Sequence, residues 1–182
     1  MADRPALFID FDGVVNFTGP VARYRATPGA LGDLRETVLA VGQFSFRIQW
    51  SAELVRELNQ AKERSPFEWW WLTTWREHAV SQVDPALGTN SDGFVPWSDG
   101  VGANAPWANS ASSRKYDALL ETLREAPRPF VWVDDTATPA YDAGDFVDDL
   151  DVPHLVIAPS TDVGLLRPDV DAIVAFLRDA RG

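Results

Sequence analysis

Three short apolar runs constrain the fold of this chain more than any other feature. They span residues 7–11, 69–72 and 130–133, and oxygen-bearing side chains stand at the end of each: Asp10 and Asp12, Thr73 and Thr74, Asp134 and Asp135. Near-continuous apolar runs mark strands buried on both faces, because alternation arises only when one face meets water. A fourth run covers residues 154–158. Helical patterns lie between the runs. Ser51 reads as an N-cap with Glu53 in the first turn, and Leu54, Val55, Leu58 and Ala61 form one stripe. Ser112 or Ser113 reads as the cap of a helix with Tyr116, Leu119, Leu120 and Leu123 on one face. Pro168 starts a last helix whose buried stripe is Val170, Ile173, Val174 and Leu177. This alternation predicts an α/β fold with a mostly parallel sheet covered by helices on both faces. Sites in such sheets lie beyond the carboxyl ends of the strands, where these acids and threonines gather.

The 182 residues suit one domain over 1–182, with no repeat or linker to divide them. Residues 37–41 and 44–50, joined through Gly42, predict a hairpin. Phe44, Phe46, Ile48 and Trp50 alternate with Ser45, Arg47 and Gln49, the period of a half-buried strand. Several of the eight tryptophans fall in EWWWLTTW (residues 68–75), which reads as a buried strand with a heavy core, followed by a polar turn and a short helix from about Arg76. Residues 84–111, rich in Pro, Gly, Asn, Ser and Asp, read as mostly loop.

The formal net charge of −11 opposes general attraction to nucleic acid, which depends on cationic contacts to phosphates. Any phosphate binding must come from a few placed groups and a metal. The absence of cysteine excludes disulfides and thiolate metal sites. The start, MADRPALF, has no basic region followed by a long apolar stretch, and no run approaches the length of a membrane span. A soluble cytoplasmic protein is expected.

Four carboxylates brought to one sheet edge cannot all ionise unpaired. A hard divalent cation resolves this, and oxygen-only donors point to Mg2+ rather than zinc. Such a cation attracts a phosphoryl group, to which Thr73 would offer a hydroxyl and Lys115, at a helix start, a positive charge. Asp10 could then act as a nucleophile, forming an aspartyl-phosphate. Asp12 could protonate the leaving oxygen and later activate water.

At these residues the chain resembles the haloacid dehalogenase-like (HAD) superfamily. FIDFDGVV is similar to its first motif, WWWLTT to its second, SSRKYDALL to its third and FVWVDD to its fourth, in the family's order across residues 7–135. The tail from His154 looks like the usual last strand and closing helix. More narrowly, WLTTWREHA resembles small HAD domains found alone in bacteria or attached to RNA-repair proteins. The resemblance implies a three-layer, Rossmann-like fold. It also implies Asp10 as nucleophile and metal ligand, and Asp12 as general acid/base with its backbone carbonyl on the metal. Thr73 would hold the phosphoryl oxygen, or Thr74 if the strand ends one residue later, and Lys115 would neutralise the group. Asp135 is the implied further metal ligand, with Asp134 supporting directly or through water. Members lacking the second aspartate include dehalogenases and ion-pumping ATPases, so Asp12 implies a phosphatase or phosphotransferase.

Residues 14–50 leave room for a hairpin flap (about 17–50) but not for a large cap domain. The 84–111 loop, with Trp97 and Trp107, is the other candidate cover. The expected partner is a phosphorylated small molecule, with no membrane. Two further readings stand beside it: a phosphoryl-binding regulatory module without turnover, which would not need Asp12, and a nucleic-acid end-processing phosphatase, against which the net charge counts. Arg114 is the alternative to Lys115. Asp142, Asp145, Asp148, Asp149 and Asp151 read as a solvated face or helix ends, His78 and His154 as structural, and Arg76 as an exposed helix arginine with a substrate-phosphate contact as the alternative.

Overall fold

The computed structural model describes residues 4–97, 111–137 and 150–180. Its strands in the central sheet are β1 (Ala6–Ile9), β4 (Glu68–Trp71), β5 (Gly93–Phe94), β6 (Phe130–Val133) and β7 (His154–Ile157). They pair in parallel in the order β5-β4-β1-β6-β7. β1 therefore has a strand on each side, with Ala6 opposite both Glu68 and Phe130. Both of its faces are buried, which is why the run reads apolar throughout. Leu7 and Ile9 pack into a core with Leu54 and Leu58 of α2 (Ala52–Arg64) and with Val170, Ile173 and Leu177 of α5 (Arg167–Asp179). Ala6 and Phe8 enter a second core with Leu119 and Leu123 of α4 (Ala111–Glu125). The three-layer α/β Rossmann-like architecture follows from this two-sided burial. The triple tryptophan obeys it too, with Trp69 and Trp71 on the first core and Trp70 against the second.

Before α2 the chain forms α1 (Val21–Ala26) and then an antiparallel hairpin of β2 (Leu34–Val41) and β3 (Phe44–Ser51). Ser51 is the expected cap: its Oγ accepts from the Leu54 N–H at 3.2 Å and donates to the Gly32 carbonyl at 2.6 Å. The half-burial expected along all of residues 44–50 holds only at the base. Ile48 and Trp50 are buried, whereas Phe46 is 43% and Phe44 61% exposed; opposite them at the tip, Leu39 and Val41 of β2 are the residues that pack against the core.

Other differences from the sequence reading have local causes. α1 has one buried side chain, Tyr24, stacked on Phe17 at 4.4 Å, too little to write a helical stripe. The short helix after β4 is a π-helical segment, Ala79–Val83, continuing into α3 (Asp84–Leu87). β5 lies inside the stretch read as loop and is only two residues long, held by pairing to Trp70 and Trp71. α4 begins at Ala111, so Ser112 and Ser113 lie in its first turn rather than before it. Trp107, Asp142, Asp145, Asp148 and Asp149 lie outside the described residues, while Asp151 is exposed. No helix among the described residues is long and apolar enough to cross a membrane.

Candidate active site

The sheet ends its strands level. The Leu72 N–H donates to the Ile9 carbonyl, the Asp10 N–H to Val133 and the Asp134 N–H to Ile157, at 2.8 to 3.1 Å. The residues that follow therefore emerge side by side. Asp10 is buried, with Oδ1 accepting from the Phe11 N–H at 2.7 Å and Oδ2 from Lys115 Nζ at 2.5 Å. Lys115, near the start of α4, is buried too, and its Nζ also lies 2.7 Å from Asp134 Oδ2. Arg114, the alternative at this position, is half-buried, and the lysine is the residue that meets Asp10.

Burial raises the Asp10 carboxyl to about 7, with the charge of Asp134 adding to it; Lys115 and the Phe11 N–H oppose the shift. Burial acts to lower the Lys115 ammonium, but the Asp10 and Asp134 carboxylates outweigh it and hold the group above its ordinary value.

Asp10, Asp134 and Asp135 each present a carboxylate oxygen within 4.8 Å of the other two. Three carboxylates against one ammonium leave two negative charges, the amount a divalent cation cancels. Asp134 Oδ1 is occupied by the Thr136 N–H (2.9 Å) and hydroxyl (2.5 Å). Its Oδ2 is buried beside the Lys115 ammonium, 2.7 Å away, and keeps a further lone pair for a cation. Asp135 Oδ2 accepts from the Thr161 hydroxyl at 2.6 Å. An all-oxygen, partly buried set of this kind fits Mg2+.

Gly13 makes the cluster possible. Its φ is +77°, and a Cβ there would overlap Asp135 Oδ2. The turn it belongs to brings the N–H groups of Val14, Val15 and Asn16 back to the Phe11 carbonyl.

Thr73 is buried (1% exposed), with its Oγ1 3.4 Å from the Trp75 N, whereas Thr74 is exposed. The Asp12 carboxylate does not join the three-carboxylate cluster. Its Oδ2 accepts from the Trp75 indole N–H at 2.8 Å and its Oδ1 from Asn16 Nδ2 at 2.6 Å. Arg76, at φ +51°, donates to the Trp97 carbonyl at 3.0 Å and lies over the Trp97 ring. His78 faces Gln82, and His154 stacks on Phe130, so both sit in local packing.

Sequence reasoning missed Trp75, Asn16 and Thr161. Trp75 was absorbed into a tryptophan-rich stretch that reads as core. Asn16 carried the one available signal, a polar side chain directly after the apolar pair Val14-Val15.

A family model described as "HAD domain in Swiss Army Knife RNA repair proteins" matches residues 6–170. No curated protein and no solved structure matches the chain.

Proposed function

Because the chain belongs to the family of HAD domains in Swiss Army Knife RNA repair proteins, we propose that it is a phosphomonoester hydrolase working through Asp10. The observation that carries this reading is the buried Asp10–Lys115 pair beside two further carboxylates, with the Asp12 carboxyl held apart from them. Asp10, Asp134 and Asp135, with the Asp12 backbone carbonyl, would hold Mg2+. When bound, the ion supplies charge that draws in and stabilises the phosphoryl oxygens.

In the first step an Asp10 oxygen attacks phosphorus. The bond from phosphorus to the ester oxygen breaks, and a protonated Asp12 gives its proton to that oxygen. Lys115 offsets negative charge on the transferring group, and the Thr73 hydroxyl would donate to one of its oxygens. In the second step Asp12, now a carboxylate, takes a proton from water as that water attacks the aspartyl-phosphate. Inorganic phosphate leaves, Asp10 is restored as a carboxylate and Asp12 is again protonated.

The test is release of inorganic phosphate from an aryl phosphate in the presence of Mg2+, which Asp10→Asn abolishes. Undiminished turnover by that variant sinks the mechanism. The family's description favours one second reading over a small-molecule substrate, a phosphorylated RNA end. A panel of small phosphate esters beside 3′- and 5′-phosphorylated oligonucleotides separates the two. Silence across the whole panel with Mg2+ present supports a phosphoryl-binding module instead.

A further inference from the structure

Asp12 is gripped on both oxygens, and strand β3 of the hairpin touches each of the two donors. The Trp75 indole N–H donates to Oδ2. An indole nitrogen carries a proton and no lone pair, so the oxygen facing it is held as an acceptor. Asn16 could turn either end of its amide toward Asp12, but its Oδ1 accepts from the Gln49 N–H at 2.8 Å. That bond from β3 directs Nδ2 onto Asp12. Gln49 grips the same loop from its other side, its carbonyl accepting from the Phe17 N–H at 3.1 Å. The Trp75 ring is set by neighbours in the same way. It packs edge-to-face on Phe11 at 5.3 Å and on Phe46 of β3 at 5.1 Å.

We propose that Trp75 and Asn16 are positioning residues for Asp12, and that β3 sets both of them. The role of Asp12 rests on the phosphatase reading above; the contacts do not. A carboxyl that must hand a proton to one oxygen and later take one from water works best in a single orientation. Two fixed donors supply that orientation, and the hairpin supplies the donors. Phe46 is half-exposed yet lies on the indole that holds the acid/base, which gives this strand a part in the chemistry.

The test compares kcat/KM for two esters. Glycerol phosphate has a poor leaving group that needs a proton, and p-nitrophenyl phosphate has one that departs without it. Trp75→Phe keeps a ring for Phe11 and Phe46 but removes the N–H. The ratio of the first kcat/KM to the second falls about tenfold in this variant, a modest part of what a general acid contributes. Phe46→Ala lowers the ratio in the same direction by about threefold, through a looser indole. Val38→Ala, on the outward face of the same hairpin, leaves the ratio at its native value. Equal losses for both esters in Trp75→Phe, or no loss, assign the indole to packing alone and overturn the proposal.

A second readout needs no turnover. The indole N–H resonance that disappears in Trp75→Phe shifts in Asp12→Ala, and its failure to move overturns the contact. Native protein that hydrolyses neither ester while that resonance moves defeats the phosphatase reading and upholds the contact.

Discussion

Lys115 Nζ meets Asp10 Oδ2 at 2.5 Å across 105 positions of sequence, and the same ammonium lies 2.7 Å from Asp134 Oδ2. One cation thus serves two buried carboxylates, while a third, Asp135, stands within 4.8 Å. Burying like charges this closely is costly unless cations share the site.

Removing the lysine tests that balance. Lys115→Met leaves Asp10 and Asp134 buried without their counter-charge, and the expected loss of stability in urea denaturation is about 3 kcal/mol. Adding Asp134→Asn to Lys115→Met recovers part of this loss, because one of the stranded charges is gone. Phosphate release falls to background in both variants.

The pH dependence follows from Asp10. Its folded value of about 7 lies above the 3.8 of an unperturbed carboxyl. From about pH 4 to 7 the metal-free folded chain binds more protons here than the unfolded one, so this group's contribution to stability falls as pH rises. Thermal unfolding of metal-free protein therefore shows a drop in Tm from about pH 4 to 7 that is smaller in Asp10→Asn. Mg2+ needs the ionised carboxylate, so its affinity rises through the same window and levels off above it. Titration calorimetry at a series of pH values reads this directly.

Gly13→Ala adds a Cβ at φ +77° and pushes on Asp135 Oδ2, which Thr161 also holds. The backbone strain costs about 2 kcal/mol. Displacement of Asp135 weakens Mg2+ binding by about tenfold or more, as loss of outer-shell support does. Denaturation and metal titration measure the two effects separately.

Ser51→Ala removes the cap of α2 and the hydroxyl donated to the Gly32 carbonyl. About 1 kcal/mol of stability goes with the cap. Turnover per folded molecule is unchanged, since Ser51 touches none of the site groups. A larger fall in kcat than in stability contradicts this separation.

The parallel sheet was legible because strands buried on two faces must be apolar at every position, as residues 6–9 and 130–133 are. The strand-end groups were legible for a related reason. Asp10, Thr73 and Asp134 stand within two residues of the strands that deliver them, and a parallel sheet aligns those ends. The α2 cap and stripe at Ser51, Leu54, Val55, Leu58 and Ala61 could be read for their purely local pattern. α1 and β5 could not, being too short for a period to emerge, and at the tip of the hairpin Phe44 and Phe46 keep the alternation of a half-buried strand while staying largely exposed.

Sequence alone therefore determined the layered α/β frame, the order of its strands' chemistry and the gathering of carboxylates at one edge. It did so because two-sided burial and strand-end position are properties of neighbouring residues. Tertiary structure decided that Lys115 rather than Arg114 meets Asp10, and that Thr73 rather than Thr74 is buried. It also decided that Asp12 is held by Trp75, 63 positions away, and by an Asn16 directed from Gln49, 33 positions from it. Those choices depend on packing between distant segments, a matter of fractions of an ångström that no local pattern encodes.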